Sequence, residues 1–169
     1  MSAVAFPEER VMFGPGVPPA VNRHLQNAVA ARTRNRYEAE RLLWEARAED
    51  PSYLPVYFAL YKFYATSKKL VAAERAALLA LAEAARRGGF SSDWATLSLP
   101  PQSLYDTEAG LFYLFSLKAL SFIKLRQGYQ SEAADLLFHL QRLDPEDRSG
   151  GSVIRALAQS MECSELEEN

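Results

Sequence analysis

The chain is poor in the side chains that usually perform catalysis or bind a metal ion. His24 and His139 are its two histidines, and Cys163 is its only cysteine. A metal site on a helix uses ligands three or four residues apart, and neither histidine has another His or Cys at that spacing. His139 lies between Phe138 and Leu140, which favours packing, and His24 lies on a polar face. We therefore predict no metal site and no cofactor.

The acidic residues and the glycine clusters also lack the spacing of an active site. Paired carboxylates for acid-base catalysis must converge on one reacting group. Glu38 follows the pattern of a solvated helix face, and Glu146 and Asp147 follow a helix stop. The glycine clusters at 14–16 and 150–151 lack the lysine of a phosphate-binding loop. We predict that the chain is not an enzyme and has no catalytic residue.

Composition and charge argue against binding to nucleic acid or to membranes and against secretion. Of the 169 residues, 19 are Lys or Arg and 21 are Asp or Glu, so the formal net charge is −2. Without a positive excess, the chain has no general attraction to nucleic acid or to an acidic membrane surface, and we predict neither as a partner. Residues 1–19 lack the basic start and apolar run of a signal peptide, and a single cysteine cannot form an internal disulfide. The sequence favours a cytoplasmic protein.

Two segments of the chain carry the same helical pattern. In each segment a small residue is followed four positions later by a large apolar residue, and the helix ends at an Asp-Pro pair. The two sets are Ala39, Leu43 and Asp50-Pro51, then Ala133, Leu137 and Asp144-Pro145. Repeats of this kind are helical hairpins that stack and bury a shared core. They hold partners more often than they perform chemistry.

The apolar spacing divides the rest of the chain into helices and irregular segments. Residues 1–19 are predicted to form an extended lead-in, because Gly and Pro are frequent there. Residues 20–162 are predicted to form a single domain with an irregular insertion at 88–106. Residues 163–169 are predicted to be a disordered acidic tail. The predicted helices are 20–34, 36–49, 56–65, 71–87, 107–127, 131–143 and 152–161.

This spacing resembles that of the tetratricopeptide repeat family, whose unit of about 34 residues is a pair of antiparallel helices. The resemblance implies an all-α fold, a superhelix of three antiparallel hairpins with a C-terminal capping helix. The first helix of the first unit departs from the pattern, and a plain helical bundle is the alternative. The matching positions are Ala39, Leu43, Ala46, Pro51, Tyr57, Leu60, Tyr64, Ala73, Ala77, Ala80, Leu117, Leu120, Ser121, Gly128, Ala133, Leu137 and Pro145.

A second, fainter resemblance concerns residues 53–90, where an aromatic helix precedes an alanine-rich helix that ends at Gly88-Gly89-Phe90. Asp93-Trp94 follows shortly after. This segment is similar to a small family of tetratricopeptide-like proteins encoded among bacterial nitrogen-fixation genes. That resemblance would imply an accessory protein of bacterial nitrogen fixation.

The tetratricopeptide resemblance also implies a concave groove lined by the first helices of the repeats. Four of the groove-facing residues are Lys or Arg, so the groove would be basic, which suits an acidic or C-terminal carboxylate segment of a partner. The alternative is that Phe58 and Phe122 belong to the core and that the cations are ordinary surface residues. The implied groove-facing residues are His24, Arg32, Phe58, Lys62, Thr66, Lys118, Phe122 and Arg126.

The insertion at 88–106 carries Phe90, Trp94 and Leu97. These residues either contact a partner, as residues in loops often do, or form a lid on the core. Pro100-Pro101 is predicted to end a short turn within the insertion.

Together these features predict a protein–protein interaction module, an adaptor or assembly chaperone that binds a protein or peptide partner in its groove. Three alternatives stay open: a chaperone for secreted substrates, an accessory protein of nitrogen fixation, and a carrier of a small ligand or cofactor. Exposed aromatic faces also leave homodimerisation open.

Overall fold

The computed structural model describes residues 16–167. Within this range the chain forms eight α-helices and no β-strand, so the predicted all-α class is confirmed. None of these helices is long and apolar enough to cross a membrane. The helices are α1 (Pro19–Ala31), α2 (Arg36–Glu49), α3 (Pro55–Thr66), α4 (Leu70–Gly88), α5 (Pro101–Tyr105), α6 (Glu108–Arg126), α7 (Gln130–Leu143) and α8 (Gly151–Glu167).

Capping residues set where several of these helices begin and end. The Asn35 side chain accepts a hydrogen bond from the backbone N–H of Glu38 (3.1 Å) at the start of α2. Thr107 accepts one from the N–H of Gly110 (3.0 Å) at the start of α6. These side-chain oxygens satisfy backbone donors that have no partner within their helix. α4 is followed by Gly89, whose φ of +71° lies in the left-handed region that favours glycine.

Three antiparallel hairpins form the body of the fold: α1 with α2, α3 with α4, and α6 with α7. α4 and α6 also run antiparallel. Glu74 near the start of α4 contacts Lys124 near the end of α6 (2.7 Å), whereas Phe90 just after α4 packs on Tyr113 of α6. It follows that α3 and α6 run in the same direction.

Small residues allow α4 and α6 to approach closely. Ala73, Ala77, Ala80 and Ala84 recur on one face of α4, and each is at most 1 % exposed. Because their side chains are short, the backbone of α6 can lie close to α4, and this pair forms the most extensive helix contact of the fold. The largest fully buried side chains of the core are Tyr57, Tyr113, Leu25, Leu54, Leu60, Leu104, Leu114, Leu117, Leu120, Ile123 and Leu140.

The last helix packs against α6 and α7 and extends further than the sequence predicts. Ile154 of α8 joins a small apolar cluster with Leu125 and Leu137. At the far end of α8, Gln130 of α7 donates a hydrogen bond to Glu165 (2.8 Å), so α8 runs antiparallel to α7 and parallel to α6. Residues 163–167, predicted to lie in a disordered tail, are therefore helical and anchored. Residues 1–15 of the predicted lead-in and residues 168–169 lie outside the described range.

The insertion packs onto the core. Leu97 is 6 % exposed, and Phe90 and Trp94 are partly buried against the same core cluster, which matches the lid alternative. Arg142 of α7 donates a hydrogen bond to the carbonyl oxygen of Leu97 (3.3 Å). A short turn at 94–96 precedes Pro100-Pro101, as predicted, but α5, which the sequence did not predict, begins at Pro101. Proline is favoured in the first turn of a helix, where no N–H is needed.

The second Asp-Pro stop is built around a buried carboxylate. Asp144 is 4 % exposed and accepts hydrogen bonds from the Tyr105 hydroxyl (2.6 Å), the Ser149 hydroxyl (2.7 Å), and the N–H groups of Ser149 and Arg148 (both 2.9 Å). Burial raises the pKa of Asp144, but these hydrogen bonds to the charged form outweigh burial and hold it below its usual value. The network ties α5 to the end of α7.

Candidate functional site

An open cleft lies between α3 and α6, and we call it the aromatic cleft. It has a volume of about 720 Å³ and is closed at one side by the first turn of α8. Its lining residues are Pro55, Phe58, Tyr61 and Lys62 of α3, Phe112, Phe115, Lys118, Ala119 and Phe122 of α6, and Ile154 of α8.

The aromatic rings in this cleft contact one another. The centroid of Phe58 lies 5.0 Å from that of Phe112, 6.1 Å from that of Phe115 and 6.5 Å from that of Tyr61. The tilted and edge-to-face geometries are those that aromatic pairs prefer. All four rings are partly buried, so each keeps part of its apolar surface uncovered. Together with Phe122 they form the floor of the cleft.

The sequence of α6 explains why a row of phenylalanines faces the cleft. Phe112, Phe115, Ala119 and Phe122 are spaced by three or four residues, which places them along one side of the helix. Other sides of α6 pack on α4 and α7, where Leu117 is completely buried. A helix that is apolar nearly all round is normally buried on all sides. α6 departs from this rule along the cleft, where its phenylalanines stay partly exposed.

Two lysines flank the aromatic floor. Lys62 is exposed on α3, and Lys118 is partly buried on α6. The Lys118 ammonium lies beside the turn before α8, since a Cβ atom placed on Gly150 would be 3.1 Å from its Nζ. Among residues 16–167, no carboxylate lines this cleft. The cleft is therefore apolar at its floor and carries two lysines at its edges.

A second cleft lies on the other side of α3, and we call it the arginine cleft. It has a volume of about 520 Å³. The guanidinium of Arg36 lies over the ring of Phe63, 4.9 Å from its centroid. Of the described residues, again no carboxylate lines this cleft. The lining residues are Ala28, Val29, Arg32, Thr33, Arg36, Leu43, Ala59, Lys62, Phe63 and Thr66.

The structure distributes most of the predicted groove residues between these two clefts. Phe58, Lys118 and Phe122 line the aromatic cleft, Arg32 and Thr66 line the arginine cleft, and Lys62 lines both. Phe58 and Phe122 are both partly buried while facing the cleft: Phe122 packs against the small apolar cluster of Leu125, Leu137 and Ile154, and Phe58 contacts Phe112, which packs on the main core. The core and groove alternatives for these two residues therefore do not exclude each other.

Two predicted groove residues lie elsewhere. His24 faces α2, where its ring nitrogens lie 3.5 Å from Glu45 and 3.4 Å from Glu49. Arg126, the last residue of α6, is exposed and lines neither cleft. Of the insertion residues, Trp94 lines a separate groove near Leu78 on the α4 side of the molecule.

The sequence prediction missed several residues of the clefts. Phe112, Phe115 and Tyr61 line the aromatic cleft, and Arg36 lines the arginine cleft. The spacing of Phe112, Phe115, Ala119 and Phe122 is a signal in the sequence that could have identified the row on α6. Arg36 belongs to the second helix of its hairpin, which the family pattern does not place in the groove.

A hydrogen-bond chain outside the two clefts joins Trp44, Tyr64 and Glu40. The indole N–H of Trp44 donates a hydrogen bond to the Tyr64 hydroxyl (2.8 Å), which in turn donates one to Glu40 (2.7 Å). Burial, together with the bond to Glu40, raises the pKa of Tyr64 to about 12, so the phenol keeps its proton near neutral pH. Within residues 16–167, no group of three or more His, Cys, Asp or Glu side chains is placed to hold a metal ion.

Comparison of the chain with protein-family models, curated proteins and solved structures finds no match. No relative therefore assigns the protein to a family or supplies its activity. The two clefts, with their aromatic floor and their cations, are the features of the described chain from which a function can be proposed.

Proposed function

We propose that this chain is a protein-binding module, an adaptor or assembly chaperone that holds a segment of a partner protein in the aromatic cleft. The observation that carries the proposal is the row of four phenylalanines and a tyrosine that stay partly exposed along α3 and α6. Buried aromatic anchors dominate the energetics of many protein interfaces. The two lysines at the cleft edge favour a partner segment with negative charge.

The apolar floor supplies the main driving force for binding in this proposal. Covering apolar surface contributes about 25 cal/mol per Å² removed from water. A large apolar side chain lying over Phe58 and Phe115 would contact both helices and cover ring surface that now faces solvent. The helices already pack on the core behind these rings, so little ordering cost opposes binding.

We further propose that the three hairpins and α8 form a tetratricopeptide-like superhelix. Two features support this architecture. α3, α6 and α8 run in the same direction, as the first helices of successive repeats do, and residues of all three line the aromatic cleft. The repeated Asp-Pro stops follow α2 and α7, the second helices of their hairpins.

A small apolar anion is the second candidate ligand. The aromatic cleft has a volume of about 720 Å³, within the range of about 300–1,000 Å³ that is usual for small-molecule sites. The protein is then a carrier, and the same lysines bind the anionic group.

Affinity capture with matched charge variants tests the proposed function. The bait proteins are wild type, Lys62→Glu/Lys118→Glu, and Arg126→Glu, each expressed in cells of the source organism. Arg126→Glu is the matched control because Arg126 is an exposed cation on α6 that lines neither cleft. We expect wild type and Arg126→Glu to recover a protein partner, and the double variant to recover at least about tenfold less of it. The reason is that glutamates at positions 62 and 118 would repel a negatively charged partner segment. Bound material is identified by mass spectrometry.

Circular dichroism must show that all three bait proteins keep the same helical content. Equal recovery of the partner by the double variant would contradict the cleft as its binding site. A small molecule that co-purifies with wild type and is lost from the double variant, with no protein partner, would replace the proposal with the carrier function.

A further inference from the structure

We propose that the aromatic cleft holds its partner segment as an amphipathic α-helix of two to three turns, with an apolar stripe on the cleft floor and an Asp or Glu beside Lys118. The partner helix lies along α3 and α6, over the space between them. This inference rests on the proposed function, because it specifies the conformation and the charge of the segment that the same cleft binds.

The length of the cleft fits a short helix. α3 and α6 run in the same direction, and the cleft extends along both. Its lining runs from Phe112 to Phe122 on α6 and from Pro55 to Lys62 on α3. With a rise of about 1.5 Å per residue, these stretches measure about 15 Å and about 10 Å. Two to three turns of helix, at about 5.4 Å each, cover this length.

The aromatic side chains of the cleft stand in two rows, one on each helix. Phe112, Phe115 and Phe122 form the row on α6, and Phe58 and Tyr61 form the row on α3. Rows of side chains three or four residues apart are the ridges by which helices pack on one another. An apolar stripe at positions i, i+3, i+4 and i+7 of a partner helix is a ridge of the same kind. The two rows therefore suit a third helix.

The cleft offers little to the backbone of an extended peptide. Among residues 16–167, the polar side-chain groups that line it are the Tyr61 hydroxyl and the ammonium groups of Lys62 and Lys118. An ammonium only donates hydrogen bonds, so within this described lining the Tyr61 hydroxyl is the one side-chain group that can accept from a peptide N–H. A strand of about five residues spans about 15 Å and would lay further N–H groups on the apolar floor without an acceptor.

A helix meets the same floor without this cost. Its N–H and C=O groups bond to one another within the segment, except in the first and last turns. Because the cleft is open, the unpaired groups at the two ends of a bound helix stay in reach of water. The lack of acceptors on the floor therefore favours a helical segment over an extended one.

Lys118 supplies the charge that selects among amphipathic helices. Its side chain is partly buried beside the turn before α8, and within residues 16–167 it forms no ion pair. Lys124 on the same helix, in contrast, contacts Glu74 (2.7 Å) and Glu132 (3.0 Å). An Asp or Glu on the flank of the partner helix that faces α8 would complement the Lys118 ammonium.

The same charge argues against a second copy of the chain as the occupant. Two copies packed cleft to cleft about a twofold axis present the same surface to each other. Their Lys118 ammonium groups would then approach one apolar floor from both sides, where like charges repel. A partner helix of opposite charge has no such conflict.

Selection from a randomised peptide library on the full chain supplies the probe. The library displays internal segments of about 15 residues, long enough for four turns of helix. The targets are wild type, Lys118→Gln, and Arg126→Gln as the matched control. We expect wild type and Arg126→Gln to enrich an apolar stripe at i, i+3, i+4 and i+7 with an Asp or Glu on its flank. Lys118→Gln should keep the stripe and lose the acidic preference.

Proline and staple variants of one selected peptide test its conformation, with binding measured by fluorescence anisotropy. A proline in the middle of the peptide, on the side away from the stripe, should weaken binding about 100-fold because it breaks the helix. Alanine at the same position is the control and should change affinity by about twofold or less. A staple that joins two positions four residues apart on that side should strengthen binding about tenfold, because it pre-orders the helix.

The contact with Lys118 is tested on the same peptide. We expect Lys118→Gln to bind it about fivefold more weakly than Arg126→Gln does, as the loss of a partly exposed ion pair would cause. Replacing the flanking acidic residue of the peptide with its amide should remove this difference. Circular dichroism must show that both variants keep the helical content of wild type.

Three results would overturn the inference. The first is a mid-peptide proline that leaves the affinity unchanged, as an extended peptide would allow. The second is an acidic flank enriched equally on Lys118→Gln, and the third is a wild-type dimer in sedimentation that becomes a monomer on Phe58→Glu. The first two leave the proposed function standing, because a segment still binds, whereas a library without any enriched segment also contradicts the proposed function.

Discussion

Replacing Gly110 with alanine is expected to lower the free energy of unfolding by about 3 kcal/mol, at the upper end of what overpacking usually costs. Gly110 lies in the first turn of α6, where the backbone of α5 crosses it. An added Cβ atom would be 2.1 Å from the carbonyl oxygen and 2.5 Å from the Cα of Leu104. Backbone atoms cannot rotate away, so α5 must move, although Leu104 and Tyr105 are both buried. Chemical denaturation followed by circular dichroism measures the loss.

Gly151→Ala is the matched control for this prediction. Its Cβ would lie 2.6 Å from the Cδ2 atom of Leu140, which is the end of a flexible side chain. Leu140 can change its rotamer, so we expect a loss of about 1 kcal/mol or less. Both glycines lie in the first turn of their helices, so the preference of a helix interior for alanine offsets little of the cost in either variant. A Gly110→Ala protein as stable as Gly151→Ala would contradict the close approach of α5.

Removing the carboxylate of Asp144 is expected to have an effect of similar or larger size. Asp144→Ala leaves the hydroxyls of Tyr105 and Ser149 and two backbone N–H groups without their acceptor. Hydrogen bonds to a charged group contribute about 1.5–3 kcal/mol each, and they are not additive, so we expect a loss of about 3–5 kcal/mol. Thermal and chemical denaturation of Asp144→Ala and wild type check this value.

The first Asp-Pro stop supplies the control for Asp144. Among the described residues, the Asp50 carboxylate accepts hydrogen bonds only from the hydroxyl (2.6 Å) and N–H (3.0 Å) of Ser52, and Asp50 is partly exposed. Asp50→Ala should therefore cost about 1 kcal/mol. Equal losses at the two positions would show that the buried network around Asp144 does not stabilise the fold as its contacts indicate.

The hydrogen-bond network around Asp144 also predicts how the contribution of Asp144 to the stability of the fold depends on pH. The pKa of Asp144 in the folded protein lies below its usual value of 3.8, so the folded state favours the charged form. The stabilisation is present above pH 3.8 and is lost as pH falls through the lower, folded-state pKa. The stability difference between wild type and Asp144→Asn should thus be constant from neutral pH down to about pH 4.5 and shrink in more acidic solution. A difference that grows on acidification would contradict the direction of the pKa shift.

Local sequence signals predict most of the helices because each signal acts over a few residues. The Asp50-Pro51 stop and the Gly88-Gly89 pair lie where helices end. The spacing of Ala73, Ala77 and Ala80 gives the buried face of α4 correctly. These features follow from backbone hydrogen bonding and helical periodicity, which do not depend on distant parts of the chain.

Contacts between distant segments explain what the sequence did not predict. α5 is stable because Leu104 and Tyr105 are buried and because Tyr105 reaches Asp144, 39 residues further along the chain. The end of α8 is ordered by Gln130, which lies 35 residues before Glu165. No local pattern reveals either pairing, so the sequence analysis assigned residues 101–105 to the irregular insertion and residues 163–169 to a disordered tail.

The sequence predicted only part of the candidate site, because helical spacing is local whereas the packing that leaves one side of a helix open is not. The family pattern selects Phe58, Lys62, Lys118 and Phe122, and the structure brings all four to one cleft. Arg126 fits the same helical spacing, but the cleft ends before the last turn of α6. Phe112 and Phe115 were missed because α6 is apolar nearly all round, and only the packing of its neighbours shows which side stays open.

Site-specific photo-cross-linking tests the central claim, that the aromatic cleft holds a segment of a partner protein, most directly. The photoreactive amino acid p-benzoylphenylalanine replaces Phe115 in the cleft or, in a control protein, Leu78, which is 42 % exposed and lines the separate groove near Trp94. After irradiation in cells of the source organism, mass spectrometry identifies the attached peptides. We predict that one segment of one partner protein attaches at Phe115 and not at Leu78. Attachment of the partner at Leu78 without any at Phe115 would contradict the claim.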